Sequence, residues 1–271
     1  MAPTFHRSFV CLFFLHGVSM AASTPHVLIY SATEPETPIL SPSMPRKDRT
    51  LFTDGNLSQY DALVFLSNTG EVLDDTGKDA LQNYLNLGGN FVGIHSATDC
   101  LNTTELYGKE IGAYFDYHPE IQNATINVVD ASHPSTSMLP AQWQIRDEMY
   151  NFKSDPRNVG AVVLLSADES SYTDDGERKY DQGSPHPTAW YQEQGAGVQD
   201  GGTPGRSFYT SLGHLNETWH DETFMAHIMG GIQWALDANT TRAFNSSASV
   251  GNGDASAAET TSSSAPEASQ S

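Results

Sequence analysis

The sequence predicts one doubly wound α/β domain with a mostly parallel sheet. Segments 26–30, 60–67 and 91–94 are short and almost continuously apolar, which is typical of strands covered on both faces. A helical segment joins the second and third of them, and this order specifies a parallel strand–helix–strand unit with a right-handed crossover. The chain has 271 residues, of which 38% are hydrophobic, so it is long enough to bury a sizeable core.

The first half of the chain builds the centre of the predicted sheet. The helix before the central strand begins at Asp74 and ends at Gly88-Gly89. Residues 31–50 hold four prolines, which lack a backbone N–H donor, so we expect neither a crossover helix nor an interior strand there. The sheet should therefore be smaller, with one edge thinly covered.

The second half of the chain adds strands and a long final helix. Residues 103–114 are predicted to be helical, and the polar stretch 168–183 is predicted to be a surface loop. Further strands are expected at 125–129, 142–152, 160–166, 189–191 and 207–211. The last helix covers about 221–236, buries apolar side chains at helical spacing, and starts at Thr218 or Asp221.

Both ends of the chain are predicted to lie outside this domain, which leaves residues 24–242 as the α/β unit. Residues 1–23 combine a weakly basic start, an apolar stretch and small residues that suit signal peptidase, so we expect a cleaved secretory signal. Residues 243–271 are rich in Ser, Ala and Thr and are predicted to be a disordered tail. We therefore expect a secreted, extracellular glycoprotein, with Asn-x-Ser/Thr sequons at Asn56, Asn102, Asn123, Asn216, Asn239 and Asn245.

The charge and the cysteine content argue against nucleic acid and membranes as partners and against an intrachain disulfide bond. The formal net charge is −20 at pH 7 and Lys and Arg do not cluster, which argues against nucleic acid and anionic membranes as partners. No segment is long enough for a good transmembrane span. Without the signal, Cys100 is the only cysteine, so no intrachain disulfide can form and the thiol is expected to be buried.

His95 stands at the carboxyl end of the central predicted strand and is followed by Ser96, Thr98 and Asp99. In open α/β sheets that edge is where ligands bind, so a site is predicted there. The alternative is that His95 only caps the following turn.

Other polar residues follow turn-like positions in the same way: His118, His133, His186, His214 and the pair Asp147-Glu148. None of them has the close spacing of a His-Glu-x-x-His signature, so the sequence alone is a weak indication of a metal. Neutral imidazoles with one carboxylate would suit Zn or another borderline divalent ion, while the same set without a metal would suit general acid–base work. In a plainer interpretation each His-Pro pair is a turn and Glu148 is a solvated acid.

Aromatic residues lie beside these polar positions: Tyr117, Tyr150, Tyr172, Trp190, Tyr191 and Trp219. Sugars stack on such rings, although aromatic residues that flank strands more often belong to the core.

Several motifs follow one another between Leu51 and Leu236, and together they resemble the ThuA-like family, named for trehalose utilisation. They include Gly88-Gly89-Asn90-Phe91-Val92-Gly93-Ile94-His95-Ser96, Tyr117-His118-Pro119, Asp147-Glu148-Met149-Tyr150, His186-Pro187-Thr188-Ala189-Trp190-Tyr191 and Leu212-Gly213-His214.

The resemblance implies a class I glutamine amidotransferase-like fold, which is flavodoxin-like, and a role in metabolism of disaccharides or keto-glycosides. In the amidotransferases the elbow after the central strand holds a nucleophilic Cys; His95 stands there in this chain, so glutamine hydrolysis is not expected. The resemblance also implies that His95, His118, Glu148, His186 and His214 form the polar site. We expect them to converge at the carboxyl edge of the sheet, and Asp99 completes the candidate catalytic set.

These observations favour a secreted carbohydrate-active hydrolase, lyase or isomerase. It would act on a small sugar or glycoside by His/Glu acid–base or metal-assisted chemistry. The alternative is a non-catalytic sugar-binding or interaction protein on the same fold. That alternative stays open because family members usually carry an Arg-His turn, a helix and a second strand where this chain has its proline-rich segment.

Overall fold

The computed structural model describes residues 23–33 and 51–253 of the chain. In these residues the strands are β1 (Val27–Tyr30), β2 (Ala62–Leu66), β3 (Thr69–Gly70), β4 (Asn90–Ile94), β5 (Asp99–Cys100), β6 (Phe115–Tyr117), β7 (Gln122–Val128), β8 (Gln142–Asp147), β9 (Asn151–Phe152), β10 (Val162–Ala167), β11 (Pro187–Gln192) and β12 (Ser207–Thr210). The α-helices are α1 (Asp54–Leu57), α2 (Asp75–Asn86), α3 (Glu105–Ile111) and α4 (Glu222–Leu236).

The helix starts agree with the capping residues in the sequence. The Asp74 carboxylate accepts a hydrogen bond from the Gly77 amide at the start of α2. The Asp221 carboxylate accepts one from the Phe224 amide at the start of α4, so Asp221 is the cap and Thr218 lies in a separate 3-10 turn, Thr218–His220. Among the described residues no helix is long and apolar enough to cross a membrane.

One eight-stranded sheet runs through the molecule in the order β1-β2-β4-β12-β11-β10-β7-β8. The pairs within β1-β2-β4-β12 are parallel, and the four remaining pairs are antiparallel. The prediction of a mostly parallel sheet is therefore wrong, and the sheet is mixed. The connections from β7 to β8, from β10 to β11 and from β11 to β12 contain no α-helix, and a parallel neighbour usually needs a helical crossover.

Three strands of the parallel half, β2, β4 and β12, are buried on both faces, as their continuous apolar sequences predict, whereas β1 at the edge leaves Ile29 exposed. Leu63 and Phe65 of β2 point into a core that is covered by α1, α2 and α3. Val64, between them, points into a second core that contains Phe224 and Ile228 of α4. Side chains of a strand alternate between faces, so a strand with helices on both sides must be apolar throughout.

Two predicted elements are shorter in the structure. The predicted helix 103–114 is reduced to α3, which is followed by Gly112 at φ 100°. The predicted strand 142–152 is divided into β8 and β9, and residues 148–150 between them leave the sheet. Cys100 is buried, as predicted, and its thiol donates to the Ala97 carbonyl at 3.3 Å.

The ordered chain extends beyond Arg242, where the sequence places the start of a disordered tail. Val250 is fully buried in the first core, and its carbonyl accepts a hydrogen bond from the Arg242 amide. Residues 1–22 of the predicted signal 1–23, the tail beyond 253 and most of the proline-rich segment, 34–50, lie outside the described residues, so those predictions stay open.

Candidate functional site

His95 occupies a strained elbow at the end of β4. It begins a 3-10 turn, His95–Thr98, and its backbone has φ 56°, in the left-handed region that is costly for a side chain other than glycine. The Nδ1 atom donates to the Ser211 carbonyl oxygen at 3.1 Å, and the His95 carbonyl accepts from the Tyr209 hydroxyl at 2.8 Å. These bonds leave Nε2 as the atom that faces the site.

Glu148 is the centre of the site, because three imidazoles contact its buried carboxylate. Its Oε2 atom lies 3.1 Å from His214 Nδ1 and 3.7 Å from His95 Nε2. Its Oε1 atom lies 3.3 Å from His118 Nε2. The His95 and His214 ring nitrogens that face Oε2 are themselves 3.3 Å apart.

Asp147 holds the His214 turn in place from the last position of β8. Its carboxylate accepts from the amides of Gly213 at 2.8 Å, His214 at 3.3 Å and Glu148 at 2.8 Å. Burial raises the pKa of the Asp147 carboxyl, and these backbone donors oppose that effect. Asp147 is therefore a positioning residue that connects β8 with the end of β12.

The electrostatics of the site favour a neutral His95. Burial lowers the pKa of its imidazole, although the Ser211 carbonyl and the carboxylates of Asp147 and Glu148 oppose the effect. A neutral ring that donates from Nδ1 carries its lone pair on Nε2. The site thus contains one fixed imidazole acceptor beside a buried carboxylate.

Four of the six predicted site residues come together: His95, His118, Glu148 and His214. His186 lies one layer further out. Its Nε2 atom donates to the Tyr150 carbonyl at 2.8 Å, and its Nδ1 atom lies 3.0 Å from Glu169 Oε1. Asp99 follows the 3-10 turn in β5, where its side chain accepts from Asn102 at 3.4 Å.

The predicted catalytic set left out Tyr150 and Asp147, although Asp147 was named beside Glu148 and Tyr150 among the aromatic residues near the polar positions. The Tyr150 hydroxyl lies 3.3 Å from His95 Nε2, and its ring stacks on that of His118 at a centroid distance of 5.7 Å. Burial raises the pKa of the Tyr150 hydroxyl, so it stays protonated. Their positions on either side of Glu148 in the sequence are the signal that points to both.

A cavity of about 420 Å³ lies beside His186. It is lined by Tyr117, Glu169, Tyr172, Thr173, Asp174, Gly176 and Arg178. Glu169 and the Tyr172 hydroxyl both contact His186 Nδ1, and Tyr117 precedes His118 in the chain. The predicted surface loop 168–183 therefore forms a wall of this cavity.

The fold and the site define an α/β protein with a histidine–glutamate cluster at the carboxyl edge of its parallel strands. The family model described as trehalose utilisation, ThuA, matches residues 43–235, and the chain belongs to this family.

Solved structures of the same family show the same fold. A ThuA-like protein from Bacteroides uniformis ATCC 8492 is 22% identical with a TM-score of 0.55, and the match covers 70% of this chain and 75% of that chain. A ThuA-like protein from Parabacteroides merdae ATCC 43184 is 18% identical with a TM-score of 0.53, with 79% and 91% covered. No curated protein matches the chain.

Proposed function

We propose that the chain is a carbohydrate-active enzyme whose active site is the cluster of His95, His118, Glu148 and His214. Membership of a family described by trehalose utilisation supports a sugar or small glycoside as the substrate. The observation that supports the site most strongly is the buried Glu148 carboxylate, which three imidazoles contact. Ligands of open α/β sheets bind at this edge.

The cluster provides the groups for acid–base catalysis. The side chains of His118 and His214 are 33% and 38% exposed, so their imidazoles can reach a sugar hydroxyl or glycosidic oxygen. Glu148 would stabilise the imidazolium that forms when either ring takes up a proton. Imidazoles exchange protons near neutral pH, which suits them to this role.

We propose that the sugar binds in the cavity beside His186. Its volume of about 420 Å³ is in the range of small-molecule sites. The rings of Tyr117 and Tyr172 are suited to stacking on a pyranose face, and Glu169, Asp174 and Arg178 can bond its hydroxyl groups. A mono- or disaccharide fits this chemistry better than a long polymer.

We assign the flavodoxin-like, class I glutamine amidotransferase-like fold as part of the same proposal. The parallel half of the sheet and the positive φ of His95 at the end of β4 support it. His95 has no thiol to act as a nucleophile, so amidotransferase activity is not expected.

Secretion and N-glycosylation are also proposals. The asparagines of four sequons are exposed in the structure: Asn102, Asn123, Asn216 and Asn239. A glycan must lie in solvent, and exposed acceptors meet this requirement.

Turnover of disaccharides by the purified secreted protein tests the proposed function. Trehalose, other disaccharides and their keto derivatives would be incubated with wild type, and products would be separated and identified. Glu148→Gln should reduce the rate about 100-fold or more, since acid–base groups contribute roughly 10²–10⁴-fold. The matched control is Glu217→Gln, which changes a largely exposed carboxylate. Sugar binding without turnover would instead favour the non-catalytic sugar-binding protein.

A further inference from the structure

We propose that His95, Glu148 and His214 bind one divalent transition-metal ion of the Zn²⁺ type. The ion would lie between His95 Nε2, His214 Nδ1 and Glu148 Oε2. This inference deepens the proposed function, on which it rests for the role of the site: with an ion bound to His214 and Glu148, His118 would be the imidazole left for acid–base work. The metal site itself is argued from geometry and is tested by binding.

The separations of the three atoms match those around a tetrahedral ion. They are 3.1 Å, 3.3 Å and 3.7 Å, and one ligand atom from each residue can be chosen so that all lie within 4.8 Å of one another. Zinc bonds to nitrogen and carboxylate oxygen are about 2.0–2.2 Å, so the edges of a regular tetrahedron would be about 3.3–3.6 Å. One face of such a tetrahedron is therefore already formed by side chains.

The hydrogen bond of His95 to Ser211 fixes which of its ring nitrogens can bind a cation. Because His95 Nδ1 donates to the Ser211 carbonyl, its Nε2 lone pair is directed toward His214 Nδ1 and the carboxylate. A proton shared by two of these three atoms leaves the third without a partner in the cluster, whereas a metal cation can bind all three atoms. The Tyr150 hydroxyl, 3.3 Å from Nε2, is placed to donate to the same lone pair when no ion is bound.

Outer contacts orient each of the three groups. The Ser211 carbonyl holds the His95 ring, Asp147 holds the backbone at His214, and His118 contacts the second oxygen of Glu148. Partners of this kind are typical of metal sites, where they fix the tautomer and direction of each ligand. Because these contacts already hold the three ligand side chains in place, binding of an ion would require little rearrangement of the protein.

The choice of ion follows from the ligand types and the exposure. Two imidazole nitrogens and one carboxylate oxygen suit Zn²⁺ and similar ions, while Ca²⁺ and Mg²⁺ prefer oxygen ligands. Among the described residues, the basic side chains that contact the Glu148 carboxylate are histidines and not Lys or Arg, so the carboxylate is available to a cation. The side chain of His214 is 38% exposed, which leaves a coordination position open to water or substrate.

The test is metal binding by protein prepared without a polyhistidine tag and stripped with a chelator. Titration with Zn²⁺ in a calorimeter should give one site per chain, and Co²⁺ should give the absorption of a tetrahedral complex. Separate His95→Ala and His214→Ala variants should each weaken Zn²⁺ binding by about 100-fold or more. The matched control is His220→Ala, because His220 is an exposed histidine that follows His214 closely in the sequence but lies outside the cluster.

The outcomes separate the metal from the proposed activity. The side chain of His214 is 38% exposed, so its variant should fold, and the thermal unfolding of stripped proteins checks this. A stripped wild-type chain with no saturable Zn²⁺ or Co²⁺ binding would overturn the metal site, even if it turns over sugars. The metal site would also be overturned if both histidine variants bound Zn²⁺ as tightly as wild type. Stoichiometric binding that both variants lose would support the site, even if no sugar is turned over.

Discussion

Asp147 and Glu148 are adjacent carboxylates with different tasks. Asp147 is the last residue of β8 and binds backbone amides after β12, whereas Glu148 leaves the strand and faces the histidines. Side chains that follow one another in extended chain point to opposite sides, so one pair of residues can serve the scaffold and the site. Buried Asp147 is needed for geometry, and Glu148 is proposed to be needed for chemistry.

Asp147→Asn tests the positioning role. An amide keeps one acceptor oxygen, but its NH₂ group would face the amides of Gly213 or His214. We expect turnover and Zn²⁺ affinity to fall about 10- to 100-fold, as for other outer-shell changes. Steady-state kinetics and calorimetry measure both, and Glu217→Gln, which changes a largely exposed carboxylate outside the site, is the control. Unchanged values in both assays would show that the turn does not depend on the Asp147 charge.

A second residue, Glu110 of α3, makes stability depend on pH. Its carboxyl is buried and accepts from the Gly197 amide at 3.0 Å, and burial raises its pKa to about 8. A Glu carboxyl in the unfolded chain has a pKa of about 4.3. Between that pH and about 8, the folded state therefore holds a proton on Glu110 that the unfolded state has released. The free energy of unfolding should therefore fall as pH rises from about 4.5 to 8.

Glu110→Gln should remove this dependence. The amide oxygen can still accept from Gly197 and the side chain carries no charge, so the variant should gain stability over wild type as pH rises toward 8. Urea unfolding at pH 5, 7 and 8.5 measures the difference. Glu105→Gln, on the same helix and largely exposed beside Lys109, should show a small effect. A constant gap between Glu110→Gln and wild type across pH would contradict the assignment.

At the scale of elements, the curvature of the sheet forms the site. Successive antiparallel pairings return β8 to the direction of β4 and β12, so the carboxyl ends of all three lie at one edge. In a flat sheet, β8 and β12 would be about 19 Å apart, because three strands separate them at roughly 4.8 Å spacing. Asp147 nevertheless contacts the Gly213 amide at 2.8 Å. The antiparallel half must therefore curve back toward β12.

The packing of α4 on β12 depends on a glycine. A Cβ atom on Gly231 would lie 2.4 Å from the Phe208 ring, so α4 would have to move. We expect Gly231→Ala to destabilise the protein by about 1–3 kcal/mol, as for other overpacked cores. Gly55→Ala in α1 is the matched control, since its Cβ meets nothing within 4 Å and alanine favours a helix. Thermal unfolding measures both, and equal midpoints would show that α4 adapts without cost.

At the scale of the whole molecule, the two described ends of the chain are joined around Asp61. Its buried carboxylate accepts from the amides of His26 at 2.8 Å, Ala243 at 3.2 Å and Asn252 at 3.0 Å. Asn252 in turn donates to the Thr24 carbonyl, and its own carbonyl accepts from Ser23. The residues after Arg242 thus hold the start of β1 in place.

Two truncations separate this packed segment from the rest of the tail. A chain that ends at Gly253 should keep the stability of the full chain. A chain that ends at Arg242 loses buried Val250 and two donors to Asp61, so we expect a loss of about 3 kcal/mol or more. Urea unfolding of both forms measures the difference. Equal midpoints for the two truncations would refute a structural role for 243–253.

Much of the candidate site was accessible from sequence because its residues end strands or begin turns. His95, Glu148 and His214 could be assigned to the carboxyl edge in this way, because each follows a predicted strand and ligands of open α/β sheets bind beyond the carboxyl ends of the strands. Tyr150 was not distinguished from core aromatic residues, because only its contact with the His95 ring reveals its role. The outer position of His186, behind Tyr150, likewise depends on how the loop 168–183 folds.

The sequence by itself determined where the strands of the main sheet and the helices α2 and α4 lie, the cap of α2, and the family of the chain. These follow from local patterns of apolar residues, capping side chains and motif order. Tertiary structure alone decided the mixed direction of the strands, the order of the sheet and the meeting of Glu148 with His95. These depend on pairings between distant segments and on curvature built up over several strands, to which no short stretch of sequence contributes a readable signal.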